Sequence, residues 1–127
     1  MKYKRILLKL SGEALAGHTD GLYDQTFLAA VAKEIRTCLD AGMQISVIVG
    51  AGNIWRGREG AEMDRCRADS MGMLATVINA IALQDAFLRA GIPARVMTAT
   101  KMAPYGELFT PENAIAAMGK GDAVIFG

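Results

Sequence analysis

At 127 residues, 52% hydrophobic and 21% charged, the chain is sized for one domain with a real core, and its composition excludes intrinsic disorder. A net charge of +1 gives no bulk electrostatic pull toward nucleic acid or a membrane surface. Two well-separated cysteines, Cys38 and Cys66, and the single His18 offer no metal-ligand spacing, so free thiols in a reducing compartment are expected and a zinc site is not.

The amino terminus has basic residues, but Lys9 interrupts the apolar run behind them too early for a signal-peptide core. No uninterrupted apolar stretch approaches a bilayer-spanning length, so a cytoplasmic chain is expected. Residues 4–10 read as a buried strand. After the polar loop Gly17–Gly21, Asp24 is placed to cap a helix whose stripe is Leu28, Val31, Ile35 and Leu39, with Gly42 where a left-handed residue ends it. Residues 43–49 form a second strand, followed by a turn and a short helical stretch to about residue 65. A long helix then runs from roughly 66 to 90. Pro93 precedes a third strand, Ala94–Thr98, and Thr110-Pro111-Glu112 starts another helix that stops at Gly119 or Gly121. Residues 122–127 make a fourth strand. This β-α-β-α-α-β-α-β order predicts a three-layer α-β-α fold around a mostly parallel sheet. A parallel strand ordinarily delivers a loop and then a helix, so the chain reads as the front part of a larger α/β unit.

In the long helix, Met71, Met73, Leu74, Val77, Ile78 and Ile81 are followed by Leu83, Phe87 and Leu88, and together they occupy most of the circumference. A helix covering one face of a sheet needs only one apolar stripe. The second stripe makes this either a central core helix packed on several sides or one that meets another copy of the chain. A small domain has little room to enclose a helix, so contact with a copy is expected, a symmetric dimer being the commonest form.

Two glycine-bearing turns follow strand-like runs: Lys9-Leu10-Ser11-Gly12-Glu13 and Val49-Gly50-Ala51-Gly52-Asn53. In an open α/β sheet such turns meet at the carboxyl ends of the strands. Glycine lets backbone N–H groups approach an anion closely, and Lys9 adds a mobile positive charge suited to phosphate. Neither turn is a Walker A loop, and Gly50-Ala51-Gly52 lacks the dinucleotide fingerprint. Arg56, a few residues on, has the planar fork for bidentate phosphate contact. Asp69 either complements the dipole of the long helix or accepts hydrogen bonds from sugar hydroxyls. No Ser-His-Asp or Cys-His set is present, which phosphoryl transfer to a phosphate monoester tolerates. With a second pKa of about 6 that acceptor is already ionised, so positioning and charge neutralisation carry the reaction.

Three segments in register resemble the bacterial uridylate kinase (UMP kinase) family of the amino-acid-kinase superfamily. They are Tyr3–Leu15, Val49–Gly57 and Ala68–Ala80, the last containing Asp69-Ser70-Met71-Gly72-Met73-Leu74. The resemblance implies transfer of the γ-phosphoryl group of Mg-ATP to UMP in pyrimidine nucleotide synthesis, with Mg2+ carried by the ATP phosphates. Carried over by position, Lys9, Leu10, Ser11 and Gly12 would hold the transferring phosphate, with Lys9 neutralising charge in the transition state. Gly52 and Arg56 would contact ATP phosphates, while Gly50, Ala51 and Asp69 would bind UMP. Lys9 and Arg56 would be the catalytic residues. Members are hexamers built from dimers. Where the family commonly has three glycines this chain has Ala51. On this resemblance residues 1–127 form the N-terminal, UMP- and phosphate-binding part of the domain, without the ATP-binding C-terminal part, and the chain alone is expected to be inactive. The alternatives are a kinase of the same superfamily acting on a carboxylate or carbamate, and a non-catalytic nucleotide-binding or storage protein.

Overall fold

The computed structural model describes residues 2–127. Helix boundaries follow local capping chemistry. Asp24 accepts from the amides of Thr26 and Phe27 at the start of α2 (Gln25–Asp40), and Thr110 accepts from Asn113 N at the start of α4 (Pro111–Gly119). Asp64 does the same for Arg67 N at α3 (Arg65–Arg89). Gly42 and Gly91 leave α2 and α3 at φ +82° and +75°, angles that a side chain rarely adopts.

The strands are β1 (Arg5–Leu10), β2 (Gln44–Val49), β3 (Ala94–Thr98), β4 (Glu107–Leu108) and β5 (Ala123–Phe126). They form one sheet in the order β1-β2-β5-β3-β4, every neighbouring pair parallel. Helices α2 and α3 cover one face, burying Leu28, Ile35, Leu83 and Phe87 against Ile45, Val47, Val96 and Ile125. Full burial of each such side chain contributes about 1.5–3 kcal/mol. Helix α4 covers part of the other face, with Ala117 and Met118 over Val124 and Met97. The expected three-layer α/β architecture is therefore present, in β-strand spans that match the sequence reading to within a residue or two.

Four details differ from expectation. β1 is a half-exposed edge strand and not a buried one: Ile6, Leu8 and Leu10 pack into the core while Leu7 on the other face is 59% exposed. The reason is that α4 packs on β5 and β2 and leaves that flank open. A five-residue helix, α1 (Gly12–Ala16), follows β1 directly; it is too short to carry a periodic apolar stripe. The sheet has a fifth strand, β4, whose two residues carry no alternation to read. Finally, α3 does have the length and apolarity of a bilayer-crossing helix, although no single apolar run in it does. It is a core helix here, because Leu83 and Phe87 are fully buried against the sheet. Its opposite face leaves Met71, Leu74, Ile78, Ile81 and Leu88 exposed.

Candidate functional site

The parallel register of β1 and β2 pairs Leu10 with Val49, so both strands deliver their following turns to the same rim. Gly50 N–H donates to Leu10 O across the junction at 2.9 Å. Beyond it the two turns touch. A β-carbon on Gly12 would run into Gly52 N and come within 2.8 Å of Ala51 C, both backbone atoms. The close approach of two backbones is thus what requires glycine at position 12. A β-carbon on Gly52 would instead meet the carboxylate of Glu13, the movable end of a side chain.

Arg56 is turned back onto this junction. Ile54 N and Trp55 N both donate to Ala51 O at 2.9 Å, which curls the chain, and Trp55 Nε1 donates to Ala68 O of α3 at 3.0 Å, which anchors the curl. From there Arg56 Nε donates to Gly52 O (3.2 Å) and Arg56 Nη2 pairs with Glu13 Oε1 (3.0 Å). Both side chains of that pair are partly exposed, so it holds the guanidinium loosely, at about 0.2–1 kcal/mol. An incoming anion can replace the carboxylate at that price.

The structure therefore brings Gly12, Gly50, Ala51, Gly52 and Arg56 together at one rim. Leu10 belongs to the same junction through its carbonyl, its side chain being directed into the core. Ser11 is extended and its Oγ caps α1 by accepting from Ala14 N at 3.2 Å. Lys9 lies one residue before the end of β1 on the exposed side of the strand, opposite Ile48, and takes part in no ion pair among the described residues. Asp69 stands in the second turn of α3, where Arg65 Nε donates to its Oδ1 at 3.1 Å; its described contacts are within α3 and do not reach the glycine turns. β5 and β3 deliver Gly127 and Ala99 beyond their carboxyl ends, where with Ile48, Phe109 and Phe126 they line an apolar recess of about 250 Å³. A larger cavity, about 460 Å³ between β3 and residues 101–108, shares no lining residue with the turns. Among the described residues no group of three or more His, Cys, Asp or Glu is arranged to hold a metal ion.

Two residues of the site escaped the sequence reading. Glu13 is the partner of Arg56. Asn79 is fully buried behind the second turn, where its Nδ2 donates to Gly50 O at 2.7 Å and its Oδ1 accepts from the Tyr23 hydroxyl at 2.9 Å. Burial raises the pKa of that Tyr23 phenol. The signal for Asn79 was in the chain: it interrupts the inward stripe Ala75, Asn79, Leu83, Phe87 at four-residue spacing.

Residues 4–123 match the sequence model of the Amino acid kinase family. The fold superimposes over 100% of this chain on UMP kinase from Bacillus anthracis, with a TM-score of 0.92 and 36% identity, covering 53% of that protein's chain. UMP kinase from Ureaplasma parvum gives a TM-score of 0.89 at 33% identity, over 99% of this chain and 54% of that one. The chain spans about half the length of these matched structures.

Proposed function

The chain belongs to the amino acid kinase family, and from that premise we propose that it is the acceptor-binding half of a UMP kinase, a nucleoside monophosphate kinase that moves the γ-phosphoryl group of ATP to UMP. The observation that supports this reading best is the convergence of Gly12, Gly52 and Arg56 on the rim where β1 and β2 end. Backbone amides of the two turns and one guanidinium there suit the oxygens of a transferring phosphoryl group, whose charge grows along the reaction path. At Gly12 the two turn backbones meet directly, and the group beside Gly52 that an incoming phosphate oxygen would displace is the movable Glu13 carboxylate.

In this reading Lys9, Leu10, Ser11 and Gly12 hold the transferring phosphate. Lys9 reaches over the end of β1 to neutralise charge, and Gly52 and Arg56 hold ATP phosphates. Gly50, Ala51 and Asp69 bind UMP, which requires Asp69 to exchange Arg65 for the nucleotide. Mg2+ arrives on the ATP phosphates and supplies charge neutralisation when bound. No general base is required, since a monoester with a second pKa of about 6 is already an anion at neutral pH. The exposed stripe of α3 meets a second copy of the chain, giving the dimer from which a hexamer is built, and the location is cytoplasmic. Turnover draws on groups beyond these 127 residues, so this chain by itself binds UMP without phosphorylating it.

Calorimetric titration of the 127-residue chain with UMP, CMP and ATP tests the assignment. UMP bound in clear preference to CMP is the expected result. Indifference to all three nucleotides would overturn it in favour of a repurposed binding fold, and measured conversion of UMP by the isolated chain would overturn the division of labour.

A further inference from the structure

The inward face of α3 is apolar at Ala75, Leu83 and Phe87 and polar at Asn79, although Asn79 is fully buried. A leucine there would continue the stripe, so packing alone does not account for the amide. Its hydrogen bonds do. Asn79 Nδ2 donates to Gly50 O and to Asn53 Oδ1, each at 2.7 Å, while Asn79 Oδ1 accepts from Asn53 Nδ2 at 3.2 Å and from the Tyr23 hydroxyl at 2.9 Å. Asn53 Nδ2 also donates to Leu22 O at 2.9 Å. No buried side-chain polar atom among the described residues lacks a partner. Three segments are thereby joined, α3, the Gly50–Asn53 turn and the loop before α2, and the first turn lies against them, Asn53 Oδ1 being 2.7 Å from where a Gly12 β-carbon would stand.

We propose that Asn79 is a positioning residue, which from inside the core fixes the Gly50–Asn53 turn at its first carbonyl and its last side chain, and so sets the spacing of that turn from Gly12. The inference rests on the reading of the glycine turns as the phosphate-holding site, and it extends that reading to residues that touch no ligand. Asn79 itself is fully buried, so the donor that meets the Gly50 carbonyl is delivered from the core side of the turn. The two donations also explain why an asparagine is used: a serine or threonine hydroxyl has a single donor hydrogen and could not donate to Gly50 O and Asn53 Oδ1 together.

Amide hydrogen exchange and nucleotide titration on the 127-residue chain separate positioning from bulk stability. In Asn79→Leu, and in Asn53→Ala should the first variant not fold, the amides of Gly50, Ile54 and Trp55 are expected to exchange at least tenfold faster. Those of Ile45 and Val47 in β2 should stay within twofold of the parent. UMP and inorganic phosphate should bind at least tenfold more weakly to the variants. Tyr23→Phe removes only the outermost bond and should change both readouts less than threefold. Equal acceleration at the turn and in β2 would reduce Asn79 to a stability residue and overturn the proposal, as would unchanged exchange throughout. A parent chain that binds neither UMP nor phosphate refutes the functional reading alone, because the exchange comparison still decides whether Asn79 holds the turn.

Discussion

Gly12→Ala probes the junction of the two turns most directly. The added β-carbon meets Gly52 N, Ala51 C at 2.8 Å and Asn53 Oδ1 at 2.7 Å. Carbon atoms settle about 3.5–4.0 Å apart, so the two backbones must separate by roughly 1 Å. Neither can yield freely: Gly50 N is bonded to Leu10 O, and Asn53 is bonded to Asn79. Overpacking of this kind costs about 1–3 kcal/mol. For a domain of this size each kcal/mol lowers the melting temperature by about 3–6 °C, so a drop of about 3–18 °C is expected. On the proposed reading the same displacement moves the amides that would hold phosphate, so phosphate and UMP affinity should fall together with stability. Thermal melting by circular dichroism, with phosphate and UMP titrations on the same samples, provides the check. Two controls calibrate it. Gly52→Ala displaces only the mobile Glu13 carboxylate and should cost less than about 1 kcal/mol. Gly119→Ala, at the end of α4 with open space around it, should raise stability by about 0.4–1 kcal/mol. A Gly12→Ala protein that melts with the parent and binds phosphate equally well would refute the reasoning.

Arg56→Lys keeps the charge and loses the fork that reaches Gly52 O and Glu13 together; stability should change by less than about 0.5 kcal/mol while phosphate affinity falls about tenfold, measured by titration at fixed ionic strength. Leu74→Glu combined with Ile78→Glu places charges on the exposed stripe of α3, where the parent residues are 52% and 50% exposed. Sedimentation should then give a monomer with unchanged helix content; a variant that sediments like the parent would remove α3 from the interface. Burial raises the Tyr23 pKa above its unfolded value of 10.0, so its contribution to stability is fully present below that pH. It is lost as pH rises through the folded pKa, because the unfolded state gives up the proton first. Denaturant melts between pH 9 and about 11 should show this loss in the parent and lack it in Tyr23→Phe.

The elements that carry periodicity and caps were legible from the chain. α2 and α4 begin at Asp24 and Thr110 because a short polar side chain satisfies amides that the helix itself leaves open, and α3, read from its apolar run alone, proves to be capped in the same way by Asp64. The adjacency of the glycine turns was legible as well, since parallel strands direct their following loops to one edge. α1 and β4 were not, being too short to carry a repeat. The exposure of β1 was hidden for a different reason. Leu7 and Leu8 are both leucine, and which of them faces the core depends on which helix covers which flank.

Local chemistry thus determined the helices, the long strands, the parallel sheet and the meeting of the two glycine turns at one sheet edge. These follow from backbone geometry and hydrophobic spacing within a few turns of chain. Only the tertiary structure decided that Glu13 meets Arg56, that Asn79 holds Gly50 from 29 residues away, and that one stripe of α3 stays uncovered. Hydrogen bonds and ion pairs between distant segments depend on how the helices dock on the sheet, and that docking minimises exposed apolar area over the whole domain.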